Sequence, residues 1–139
     1  MTRLKIILAW IQGTYFAATG LWPVVSIRSF QAVTGQKTDH LVTGYEQDHW
    51  LVNTVAVLVI AIGLALLVAA WRRHVPLEIT ILAAASAFGL AMIDVVYVAR
   101  QTIWPIYLVD AVAQVGFLAG WSTAEVCARP KALEPKESA

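Results

Sequence analysis

Residues 50–71 read WLVNTVAVLVIAIGLALLVAAW, with no charge between Leu51 and Trp71. At about 1.5 Å of rise per residue, a helix of this length covers the roughly 30 Å hydrocarbon layer of a bilayer. Lipid offers no partner to a free N–H or C=O, and a helix satisfies these groups within the segment. No ten-residue alternation of apolar and polar residues marks the strands of a closed barrel. Working outward, three more apolar runs cover about residues 4–25, 77–99 and 103–126. The reading is all-α: an integral membrane four-helix bundle with a long external loop between helices 1 and 2. Residues 1–128 form a single four-span domain, and residues 129–139, with Pro130 and Pro135, form a polar cytoplasmic tail.

Composition agrees. The chain of 139 residues is 59% hydrophobic and 14% charged, where soluble domains carry about 25% charged residues. A fold this small buries too little of its chain to hide that much apolar surface from water. The net charge of +1 gives no electrostatic footprint for nucleic acid. One cysteine, Cys127, excludes an intrachain disulfide and any CxxC redox or zinc motif. Arg3 and Lys5 ahead of an apolar run imitate a signal peptide. Gln12 interrupts the run, however, and no small-x-small cleavage pattern follows, so a retained span is expected.

Basic residues set the orientation. With four spans, Arg3, Lys5, Arg72, Arg73, Arg129, Lys131 and Lys136 share one side, and Arg28, Lys37 and Arg100 the other. Both termini are therefore expected in the cytoplasm, with the chain in the plasma (inner) membrane. Trp22, Trp50, Trp71 and Trp104 fall near span ends, where indoles favour the interface. Pro23 and Pro105 mark span ends, and Asp48 is expected to cap the second span. Gly13, Gly20, Gly63, Gly89 and Gly116 are read as points of close helix approach.

Ionisable groups inside hydrocarbon cost about 2.5–3.5 kcal/mol and so face a bundle interior or a wet cavity. Asp94 and Asp110 are two such groups, at similar depth roughly 7–11 Å inside the external ends of adjacent spans. Spacings of three and four put Asp94, Tyr97 and Gln101 on one face, and Tyr107, Asp110, Gln114 and Phe117 on another. The same rhythm runs through Gln12, Tyr15, Thr19 and Trp22, and the second span adds Asn53 one turn after His49 and Trp50. One outward-facing pocket roofed by the loop would collect Tyr15, Thr19, Trp22, His49, Asn53, Tyr97, Arg100, Tyr107 and Gln114 as ligand-binding groups around Asp94 and Asp110. Two carboxyls in a low dielectric cannot both ionise cheaply, so the pair suits acid–base chemistry or cation binding. The structural alternative has Asp94 and Asp110 bonded to Tyr97, Asn53 or Arg100, holding helices together. His40 and His49 with Asp39 and Asp48 match no metal spacing, and no motif names a cofactor.

The segment Phe30-Gln31-Ala32-Val33-Thr34-Gly35-Gln36-Lys37-Thr38-Asp39 resembles the F-x-x-V-T-G-x-K-x-D loop of a group of small four-helix bacterial membrane proteins. The similarity extends into Trp50-Leu51-Val52 and implies no activity. Sterol-isomerase-like membrane proteins share only the placing of acidic groups among a few helices, and their motifs do not match here. Small multidrug transporters carry a glutamate in the first span, where this chain has Gln12.

Three functions fit these residues. The first is binding of a small or lipophilic ligand in the polar pocket, with acid–base chemistry by the aspartates. The second is an accessory subunit of a larger membrane complex, or a homo-oligomer. The third is proton- or cation-coupled transport, disfavoured by an inner half that is mostly apolar.

Overall fold

The computed structural model describes residues 2–34 and 45–128, and the side chains of residues 2, 45–49 and 128 lie outside that description. Among the described residues there is no strand, and the regular elements are α1 (Thr2–Val25), α2 (Ile27–Thr34), α3 (Tyr45–Trp71), α4 (Leu77–Ala99) and α5 (Tyr107–Ala128). The all-helical reading is met. Two helices, α3 over Trp50–Trp71 and α4, are long and apolar enough to cross a membrane, with mean hydropathies of 2.8 and 2.1. The other two long helices do not reach that measure, diluted by Gln12, Tyr15 and Thr19 in α1 and by Asp110, Gln114 and Glu125 in α5.

Three boundaries differ from the sequence reading. The long loop contains α2, which starts after a break at Ser26, three residues beyond Pro23 in the last turn of α1. Trp22 holds α2 against the end of α1: its indole N–H donates to Ser29 Oγ at 2.9 Å, and its ring meets Phe30 edge-on at 5.7 Å. Helix α3 begins at Tyr45, so Asp48 lies inside the helix rather than capping it. Helix α5 begins at Tyr107 instead of residue 103. Pro105 has no N–H to offer, and the chain enters α5 through tight turns in which Leu108 N–H donates to Pro105 O at 3.0 Å.

Packing is closest between α1 and α3, then between α4 and α5, with thinner contact across the two pairs. The first seam is made by small residues seven apart on antiparallel helices. A Cβ on Gly63 would lie 2.8 Å from Ala17 N and 2.9 Å from Gly13 O, and one on Gly20 would lie 2.8 Å from Ala56 O. Backbone therefore meets backbone, as small residues permit in helix association. Gly89 and Gly116 do not share this role, since nothing stands within 4 Å of either. Helix α4 buries its own small stripe, Thr80, Ala83, Ala87, Ala91 and Asp94. The apolar core gathers Ala9, Leu66, Ala70, Ala83 and Trp121 at the end nearer the α3–α4 turn. Lys5 and Glu125 pair there, joining α1 to α5.

Gly63→Val should destabilise the purified protein by about 1–3 kcal/mol, because overpacking at a backbone contact forces the helices apart. Gly89→Ala should be neutral or stabilising by up to about 1 kcal/mol, since the added methyl meets open space and favours helix. Thermal or denaturant unfolding in detergent distinguishes the two.

Candidate functional site

The α5 face built by Tyr107, Asp110, Gln114 and Phe117 meets α1 and α4 at the end opposite the apolar core. The Tyr15 hydroxyl of α1 donates to Asp110 Oδ1. One turn along α5, Gln114 Nε2 donates to both Asp110 oxygens at 3.3 Å each. The Asp94 carboxyl of α4 lies against that of Asp110, within hydrogen-bonding reach. The Tyr15 ring packs on Phe117 at 5.7 Å with the planes tilted by 57°, which fixes the direction of its hydroxyl. Tyr107 reaches Thr34 at the end of α2.

Burial divides the group. Asp94 is 6% exposed and Gln114 1%, while Tyr15, Tyr107 and Asp110 are half-buried. Asp94 Oδ2 and Gln114 Oε1 are buried with no hydrogen-bond partner. A buried polar atom left in that condition costs about 1–3 kcal/mol. Both atoms accept, and the neighbouring Asp110 oxygens accept as well, so the cluster holds more acceptors than donors. A proton between the two carboxyls would supply one donor; the remaining excess calls for another.

The structure thus brings together Tyr15, Asp94, Tyr107, Asp110 and Gln114 from the expected set. Asn53, Tyr97 and Arg100 are exposed and form no recorded bond to either aspartate. The specific structural alternative, in which these three tie down the aspartates, is not what the chain adopts. Thr19 turns back on its own helix, donating to Tyr15 O at 2.8 Å. Trp22 serves α2, as described above. The side chain of His49 and residues 35–44, with Lys37, Asp39 and His40, lie outside the described residues, as does the later part of the loop motif. Asp110 falls in the first turn of α5 rather than several residues inside it.

A second buried polar contact escaped the sequence reading. Gln12 Nε2 donates to Ala83 O of α4 at 2.9 Å, and Gln12 Oε1 accepts from Trp121 Nε1 of α5 at 2.6 Å. Trp121 extends the Gln114–Phe117 face by four more residues, and that continuation was the available signal. A groove lies elsewhere, at the core end between α1 and α3, lined by Arg3, Trp10, Trp71 and Arg73 among others. Its size alone does not make it the site of acid–base chemistry, since it holds no carboxyl; the acceptor cluster does.

Comparison with protein families, with curated proteins and with solved structures gave no match. The site therefore rests on geometry.

Trp121→Phe should cost about 1–3 kcal/mol of stability by leaving Gln12 Oε1 buried without a donor. The double variant Gln12→Leu/Trp121→Phe should recover part of that loss, and a double-mutant cycle on unfolding free energies measures the coupling. Fully additive losses would show that the contact carries no energy.

Proposed function

We propose that the chain is a multi-pass protein of the bacterial plasma membrane that binds a small ligand bearing hydrogen-bond donors or positive charge at the Tyr15–Asp110–Asp94–Gln114 cluster. Four crossings with both termini in the cytoplasm put this cluster near the outer face. Support for the crossings comes from the outward surface of all four long helices. Ile7, Ile11 and Leu21 of α1, Val57, Leu58 and Val68 of α3, Ile81, Phe88 and Ile93 of α4, and Val109, Val112 and Val115 of α5 are all exposed. Val112, at 73%, lies in the second turn of α5, one of the two less apolar helices. Apolar surface continuous around a molecule is costly in water and neutral in lipid.

The observation that carries the ligand reading is the pair of buried acceptors, Asp94 Oδ2 and Gln114 Oε1. An ammonium or hydroxyl group satisfies such atoms, whereas an anion would be repelled by the carboxylate charge. Two carboxyls in contact, one with a proton and one without, are also a general acid beside a general base. Acid–base chemistry on the bound molecule follows from the same arrangement. The seam between the α1–α3 pair and the α4–α5 pair is the thinner one, and the cluster lies on it. A small displacement of one pair would admit the ligand. Transport across the membrane fits less well, because Gln12, Trp121 and the apolar core fill the inner half.

A dansyl-labelled primary alkylamine, with its neutral N-acetyl counterpart as control, tests the reading by fluorescence titration of the purified protein. Only the amine should bind, and Asp94→Asn or Asp110→Asn should weaken it by about tenfold or more. Tyr97→Phe, altering an exposed side chain, should leave binding unchanged. Equal binding of amine and amide, or no effect of either Asn substitution in a folded protein, refutes the proposal. Orientation has its own measurement. Cys127 is exposed near the C-terminus, so a membrane-impermeant maleimide should label it only after cells are permeabilised.

A further inference from the structure

The groove of about 610 Å³ between the start of α1 and the end of α3 is lined by Arg3, Ile6, Ile7, Trp10, Ala70, Trp71 and Arg73. Arg3, Ile6, Ile7 and Trp10 stand three and four apart and so share one face of α1. Both arginines are exposed, and among the described residues neither forms an ion pair; the neighbouring Lys5 is already taken by Glu125. The groove thus has an apolar floor, two exposed indoles at its edge and two guanidinium groups that form no ion pair among the described residues.

Arg73 is there against local preference. The C-terminus of α3 closes with His74 N–H donating to Ala69 O at 3.1 Å and Arg73 N–H donating to Ala70 O at 3.0 Å. This is the paired closure that usually employs glycine in the left-handed conformation. Arg73 occupies that position at φ 53°, where a Cβ is penalised. A side chain tolerated at a position suited to glycine points to a use for the side chain.

We infer that this groove holds one anionic glycerophospholipid, its phosphate between Arg3 and Arg73 and an acyl chain along Ile6, Ile7 and Ala70. The inference rests on the membrane reading above. Guanidinium groups recognise phosphate oxygens through paired N–H donors, which a single ammonium cannot do. Trp10 and Trp71 suit the headgroup level, where amphipathic rings settle. A zwitterionic lipid would bring its own ammonium against two guanidinium cations, so the site selects for net negative charge.

Native mass spectrometry of the detergent-purified full chain, titrated with phosphatidylglycerol, phosphatidylcholine or glycerol phosphate, tests this. One phosphatidylglycerol should be retained in preference to phosphatidylcholine. Arg3→Gln or Arg73→Gln should each weaken retention about fivefold, and the double variant about thirtyfold. Arg73→Gly should lose lipid while keeping or raising thermal stability, a result that a merely structural arginine would not give. Arg72→Gln, outside the groove, should behave as the unaltered protein. Equal retention of the two lipids, unchanged retention in the double variant, or displacement of lipid by glycerol phosphate would overturn the inference. Extraction of the protein from membranes by alkaline carbonate would instead defeat the membrane reading, whatever the lipid titration gave. Lipid selectivity in detergent does not depend on the amine site, so the two proposals fail separately.

Discussion

One amide joins the two halves of this bundle. Gln12 on α1 donates to a backbone carbonyl of α4 and accepts from an indole of α5, and all of this happens out of water. Neither contact is replaceable by solvent at that depth, so the three helices are held at a fixed separation. Above that plane lie Tyr15, Asp94, Asp110 and Gln114. Below it lie Ala9, Leu66 and Ala70, packed on the Ala83 and Trp121 that the amide itself bonds. The amide therefore marks the boundary between the polar and the apolar end, and the stripe of alanines on α4 lets it reach the Ala83 carbonyl.

Much of the fold was legible because it follows from periodicity. The charge-free run after Trp50 and the three- and four-residue rhythm of Tyr107, Asp110 and Gln114 are local facts, and helices preserve them. The meeting of Asp94 with Asp110 was also legible, since antiparallel neighbours with similarly placed carboxyls bring them level. Partner choice was not. Tyr97 and Arg100 follow Asp94 at suitable spacing, yet they lie on the outward side, because a helix face is chosen by what the neighbouring helices present. Trp22 has the rhythm of a pocket residue and instead clamps α2, a short helix hidden in a stretch too polar to suggest one. Gly89 and Gly116 look like Gly13 and Gly63 in a sequence and differ only in having no opposing backbone.

The two sites proposed for this chain are opposite in character. The cluster near Asp94 is rich in acceptors, buried, and set on the thin seam between helix pairs. The groove near Arg73 is rich in donors, open, and set at the end of the tight pair. Both arise from polar groups without a partner among the described residues: buried carboxyl and amide oxygens in one case, exposed guanidinium groups in the other. Each defines its guest by complement.

The glycine seam also governs how the molecule can deform. Because Gly13 and Gly20 face Gly63 and Ala56 with no side chain between them, axial sliding of α1 along α3 has no cushion. Leu67 and Ile60 already fill the space over Gly13 and Gly20, so a shift of one turn would drive these branched side chains against residues that carry a Cβ. Shear is thereby locked out of this pair, and the compliant coordinate left to the bundle is a hinge-like swing of α4 and α5 about it.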